Sequence, residues 1–123
     1  MRVIIAGKRD FTNRSFVFDV LNEVFAQIGL PDLIIEGGAK GVDSIAHEYA
    51  NAHNIPVSTI PADWRTYGRA AGSIRNQQMA ELAGKDPDGE AYLIAFWDGK
   101  SPGTGNMIKT AARLGIKWHI VNI

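Results

Sequence analysis

Leu33-Ile34-Ile35-Glu36-Gly37-Gly38-Ala39-Lys40-Gly41-Val42-Asp43-Ser44-Ile45-Ala46-His47 runs from a short apolar segment through a glycine-rich turn into a helical pattern. Leu33-Ile34-Ile35 is continuous rather than alternating, which reads as a strand buried on both faces. Beyond the turn, Val42, Ile45, Ala46, Tyr49 and Ala50 fall on one side of a helix expected near Val42 to His53. The same handover from strand to helix recurs at Gly7-Lys8-Arg9-Asp10-Phe11-Thr12, at Ala62-Asp63-Trp64 and at Gly99-Lys100-Ser101-Pro102-Gly103-Thr104-Gly105. Strands alternating with helices imply parallel pairing and right-handed crossovers. The expected fold is α/β, a Rossmann-like three-layer α/β/α sandwich with a mostly parallel five-stranded sheet. Its turns would then lie along one edge, outside the carboxyl ends of the strands, where such sheets bind ligands.

Working outward, Val3-Ile4-Ile5-Ala6 reads as the first strand. A helix from about Ser15 to Gln27 follows, capped by Thr12 or Asn13, with Phe16, Val20, Leu21, Val24, Phe25 and Ile28 as its apolar stripe. Gly29 ends it and Pro31 prevents its continuation. Pro56-Val57-Ser58-Thr59-Ile60 is a weaker strand, placed near the sheet edge because proline lacks a donor. A polar aromatic loop, Trp64 to Gly68, leads into a helix around Ala70 to Ala83, and Lys85 to Gly89 reads as an exposed turn. Ala91 to Phe96 is the longest apolar run. A helix from about Thr104 to Leu114 ends at Gly115, and Trp118 to Val121 closes the sheet.

The chain has 123 residues, which suits one domain spanning 1–123. Thirteen basic residues balance thirteen acidic ones, so no global field draws the chain to nucleic acid or an anionic membrane. Having no cysteine, it has no disulfide, thiol nucleophile or Cys-ligated zinc. The three histidines lack ligand spacing, and neither a metal nor another cofactor is expected. No apolar run has the length of a membrane span, and a cytoplasmic location is expected.

Candidate ligand residues gather on the turns. Gly7, Arg9 and Asp10 follow the first strand, at the centre of a sheet whose order reverses there. Arg9 suits a phosphate, and Asp10 either orients Arg9 or meets a ribose. Lys8 is read as facing solvent. Gly37, Gly38, Ala39 and Gly41 give a turn that can approach a ligand closely. Asp43, in the first helical turn, either caps the helix or accepts a ribose hydroxyl. Ser101, Gly103 and Thr104 offer hydroxyl and amide donors at a helix start, unless Ser101 or Thr104 acts as the cap. Arg75, one turn into a helix that begins with small residues, can reach the same edge and clamp a phosphate or carboxylate in two-pronged fashion, with Asn76 beside it. Trp64 and Tyr67 either stack on a base or cover a contact. Neither Gly-x-Gly-x-x-Gly nor a P-loop lysine is present, which speaks against NAD-dependent redox chemistry and ATP hydrolysis of the familiar kinds. No catalytic residue is assigned.

Taken as an ordered set, these motifs resemble the SLOG superfamily, the Rossmann-like group named for the Smf/DprA and LOG proteins, and within it the YspA-type branch. The stretches that carry the resemblance also include Pro61 to Trp64, Ala71 to Asn76 and Phe96 to Thr104. The resemblance implies a nucleotide-type ligand held by the turns after the second and fourth strands. LOG enzymes cleave nucleoside monophosphates at the glycosidic bond and carry a catalytic glutamate after their Gly-Thr. Here Gly105, Asn106, Met107 and Ile108 follow Thr104, so that activity does not carry over with the fold. DprA relatives bind single-stranded DNA and share Gly41-Val42-Asp43-Ser44-Ile45-Ala46-His47, but a neutral chain lacks the basic surface this needs. The leading expectation is therefore a sensor or sequestering protein for a small nucleotide or nucleotide-derived, NAD-derived included, ligand. A LOG-like glycosidase and a single-strand DNA module are the alternatives. A homo-oligomer is the other expected partnership.

Overall fold

The computed structural model describes residues 1–123. Five strands form one sheet: β1 (Arg2–Gly7), β2 (Leu33–Glu36), β3 (Val57–Thr59), β4 (Ala91–Trp97) and β5 (Lys117–Asn122). All four pairings are parallel, in the order β3-β2-β1-β4-β5. Between them run α1 (Arg14–Ile28), α2 (Val42–Ala52), the single-turn α3 (Trp64–Tyr67), α4 (Ala71–Gly84) and α5 (Pro102–Arg113). The chain winds from β1 out to β3, then returns past β1 to β4 and β5. The order thus reverses between β1 and β4, where the crossovers on either side diverge and leave a crevice.

Alternate residues of the central strands feed two cores. Val3 and Ile5 of β1 and Ile94 and Phe96 of β4 meet α1 and α2 on one face. Ile4, Ala6, Leu93 and Ala95 meet α4 and α5 on the other. That is the two-sided burial expected of a parallel sheet. On α1 the buried residues are Val17, Leu21 and Phe25, four apart. Phe16, Val20 and Val24, expected at the centre of the stripe, lie one position, or about 100°, round the helix and are only partly buried. Ile28, expected in the same stripe, is exposed.

The cap of α1 is Asn13, whose Oδ1 accepts the Phe16 N–H at 3.2 Å. Two expectations are corrected. The stretch after Ala62 is not a loop: Asp63 accepts the Thr66 amide at 3.1 Å and starts α3, which a 3₁₀ turn at Gly68–Ala70 joins to α4. The turn at Lys85–Gly89 is not wholly exposed either. Asp86 is buried there, accepting the amides of Asp88 and Glu90 and facing Arg2. No helix is long and apolar enough to cross a membrane.

Candidate functional site

A cavity of about 580 Å³ opens at the carboxyl edge of the sheet and takes lining from all four turns. The β1 turn gives Gly7, Lys8, Arg9 and Asp10, and the β2 turn gives Ala39 and Asp43. Trp64 comes from α3, Arg75 and Asn76 from α4, and Ser101, Gly103 and Thr104 from the start of α5. Ten of the thirteen candidates named from sequence therefore face one space. Gly37, Gly38 and Gly41 do not line it.

Those three glycines stand behind the lining. A Cβ on Gly37 would run into the Arg75 guanidinium and lie 2.9 Å from Asp43 Oδ2, so the close approach is made by the protein's own arginine. Gly41 has φ +74° and presses against the carbonyls of Lys8 and Arg9, joining the β1 turn to the start of α2. Gly38 donates its N–H to Glu36 Oε1 at 2.6 Å and borders a separate, shallower groove with His47 and Thr59. Gly38 and Thr104 therefore do not line one common space.

Glu36 was not singled out from sequence. Its side chain is buried at the end of β2, where it accepts from Gly38 and from the Thr59 hydroxyl and lies 3.1 Å from His47 Nδ1. Buried charge needs such partners. The only signal in the sequence was a carboxylate closing an apolar strand. Lys8, read as solvent-facing, instead lines the cavity and sits 3.6 Å from Asp10 and 3.5 Å from Asp98. Asp10 is thus paired with Lys8.

Arg75 is aimed by two bonds. Its Nη1 donates to the Gly37 carbonyl at 2.7 Å and its Nε to Asn76 Oδ1 at 3.1 Å. No hydrogen bond within the protein engages Nη2. Burial lowers the Arg75 pKa, and neighbouring Arg9 lowers it further, while Asp43 and Glu36 oppose this. Asn76 is itself buried and fully engaged, its Nδ2 donating to the Gly103 carbonyl at 3.2 Å and to Asn106 Oδ1 at 2.9 Å. Its atoms hold α4 against the first turn of α5.

The two long helices that start at this edge after glycine-rich turns differ in charge. In its first turn α2 carries its own anion, Asp43, whereas α5 has no acidic residue there. Asp98 Oδ1 accepts the amides of Lys100 at 2.9 Å and Ser101 at 2.7 Å. The Ser101 amide, then that of Lys100, hold its carboxyl far below the usual carboxylate range. Pro102 has no N–H, and the first backbone bond of α5 runs from Gly105 to Ser101. Ser101 precedes α5 but its side chain makes no capping bond. The amides of Gly103 and Thr104 and the hydroxyl of Thr104 are thus unengaged, while the Ser101 hydroxyl lies against the Asp98 carboxylate.

Asp43 is 6% exposed. Its Oδ2 accepts the Ala39 N–H at 3.2 Å, and no hydrogen bond reaches Oδ1. No fully enclosed side-chain polar atom in the chain lacks a partner, so Oδ1 keeps contact with solvent, and Asp43 lines the cavity. Burial pushes the Asp43 pKa up to about 6. The amides of Ala39 and Gly37 and the Arg75 charge pull against this, and Glu36 adds to it. No cluster of three or more His, Cys, Asp or Glu side chains suits a metal.

Comparison with known proteins adds two findings. The family model described as YspA, cpYpsA-related SLOG family matches residues 1–67. The Gene 61 protein of Mycobacterium phage D29 is 32% identical over 120 residues, covering 94% of this chain and 91% of that protein.

Proposed function

The chain belongs to the YspA, cpYpsA-related SLOG family, and from that premise we propose that it binds a small nucleotide or nucleotide-derived ligand. It acts as a sensor or sequestering protein, with the phosphate at the start of α5. One observation carries this reading: the donors left unengaged around the cavity are Gly103 N, Thr104 N, the Thr104 hydroxyl and Arg75 Nη2. A helix start with open amides beside a guanidinium is an anion site. Arg9, exposed at the rim, adds charge, and Trp64 offers an apolar plane at the mouth for a base. The start of α2 is a poorer place for phosphate because Asp43 already occupies it. Gly7, Asp10 and Ala39 contribute wall. Gly37, Gly41 and Asn76 contribute by holding Arg75, Asp43 and the α5 turn in place, while Gly38 serves Glu36 behind them. No cofactor is needed for such binding.

The test is calorimetric titration against a nucleotide panel that includes ADP-ribose and its cyclic variants. Saturable binding by wild type that is lost in Arg75→Ala supports the reading. A folded wild type that binds no member of the panel overturns it.

The second reading, an N-glycosidase, rests on Asp43. It is the buried carboxylate on the cavity, held near neutrality in pKa, and could serve where a glutamate after Thr104 is missing. Release of free base from AMP by wild type, and not by Asp43→Asn, would favour it. Equal release by both would dispose of it.

A further inference from the structure

We infer that Asp43 reads the sugar of the bound nucleotide, requiring a free ring hydroxyl and excluding a phosphate ester at that position. The inference rests on the phosphate lying at the start of α5 and deepens that reading. Two ends of one cavity carry opposite demands. The α5 end presents mainly donors: two amides, the Thr104 hydroxyl and the open Nη2 of Arg75. The α2 end presents an acceptor: Asp43, nine-tenths buried and lining the cavity, with no hydrogen bond to Oδ1.

An ionised carboxylate only accepts, so whatever lies against Oδ1 must donate. The charged groups around Asp43 are Arg75 from α4 and Glu36 from the end of β2, with Arg9 beyond Arg75. Arg75 cannot turn to Asp43 without leaving the Gly37 carbonyl and Asn76. Beyond the Ala39 and Gly37 amides and the charge of Arg75, the protein offers the carboxylate no further partner once a ligand expels water.

The neutral donors of a nucleotide are its ring hydroxyls and the amino or imino groups of its base, and the hydroxyls lie nearer the phosphate. A hydroxyl there completes the carboxylate, whereas a deoxy sugar leaves it desolvated and unpaired. A phosphate ester would set a second anion against Asp43 with Glu36 behind it. A site built to bond a hydroxyl rejects the analogue lacking it far more strongly than an apolar pocket rejects a methyl group.

The experiment compares four probes that share base and 5′-phosphate: AMP, 2′-deoxy-AMP, 3′-deoxy-AMP and adenosine 2′,5′-bisphosphate. Binding to the full chain at pH 8 is followed by amide NMR shifts, with inorganic phosphate as a fifth titrant. The expected result is that one deoxy analogue binds about 10- to 100-fold more weakly than AMP, the cost of an unpaired buried acceptor. Where the 2′-deoxy analogue is the one that weakens, the bisphosphate is also expected to bind more weakly. In Asp43→Ala, which removes the acceptor, the four probes should converge to within about threefold. Equal binding of AMP and both deoxy analogues by wild type overturns the inference, as does an unchanged preference in Asp43→Ala. If that variant does not fold, the wild-type comparison decides alone.

The two readings fail separately. Shifts at Gly103 and Thr104 on adding phosphate, with no stronger response to AMP, overturn the sugar reading and keep the anion site. No shift at those amides with phosphate or any nucleotide overturns both.

Discussion

At the scale of single residues, Arg75 and Asp43 bring opposite charges to one cavity. Arg75 is fixed by the Gly37 carbonyl and Asn76, which leaves one edge of its fork for a ligand. Arg75→Ala is expected to weaken nucleotide binding at least 100-fold by calorimetry. Arg75→Lys should recover only part, since an ammonium cannot hold both anchors and present a fork. Asp43 has the opposite signature, a group whose ionised form costs stability. Its pKa rises from 3.8 to about 6 on folding. The folded state thus holds the proton more tightly, and stability falls as pH rises from about 4 through 6. A shift of about two units corresponds to about 3 kcal/mol lost at pH 8. Asp43→Asn should remove that pH dependence, so in urea denaturation the gap between variant and wild type should move in the variant's favour by about 2 kcal/mol between pH 4 and pH 8. Asp98, Asp63 and Asp86, whose pKa values fall on folding, bend both curves the other way at lower pH and cancel in the difference. A carboxylate kept at such cost is a mark of function.

At the scale of elements, the site depends on how α4 meets α5. Met79, Ala80 and Ala83 on α4 and Met107 and Ala111 on α5 pack in one core, and Asn76 bridges the first turns of both helices. Asn76→Ala leaves the Gly103 carbonyl, Asn106 and Arg75 Nε short of partners. It should cost about 1–3 kcal/mol in denaturant midpoint and loosen nucleotide binding about tenfold, because Arg75 and the α5 amides lose their common tie. A binding loss without any stability loss would show that Asn76 meets the ligand instead. The elements were largely legible from sequence. Continuous apolar runs named β1, β2 and β4, Gly29 ended α1, and Pro56 placed β3 at an edge. What escaped was contact-dependent: α3 exists because Asp63 caps it, and the α1 stripe rotates toward Val17 because the sheet beneath decides which face is covered.

At the scale of the whole molecule, the reversal of strand order between β1 and β4 creates the cavity, and strand–helix alternation with turns at one edge was enough to place it. Which donors stay open was not legible. That depends on Asp98 taking the Lys100 and Ser101 amides and on Gly37 serving Arg75, both settled only by packing. Because the site draws on β1, α2, α3, α4 and α5 together, a bound nucleotide should be felt as global stability. At a hundred times its dissociation constant a ligand adds about 2.7 kcal/mol. For a domain of this size, with roughly 4 °C per kcal/mol, that is a rise of about 10 °C in Tm. Thermal denaturation with the tightest nucleotide of the panel should show this rise in wild type and at most about 2 °C in Arg75→Ala at the same concentration. Single-stranded oligonucleotides should leave Tm unchanged even at low salt, since thirteen basic and thirteen acidic residues provide no net charge for releasing counterions. A salt-dependent rise with oligonucleotide, absent with mononucleotides, would reverse that assignment and make the edge a strand-binding surface.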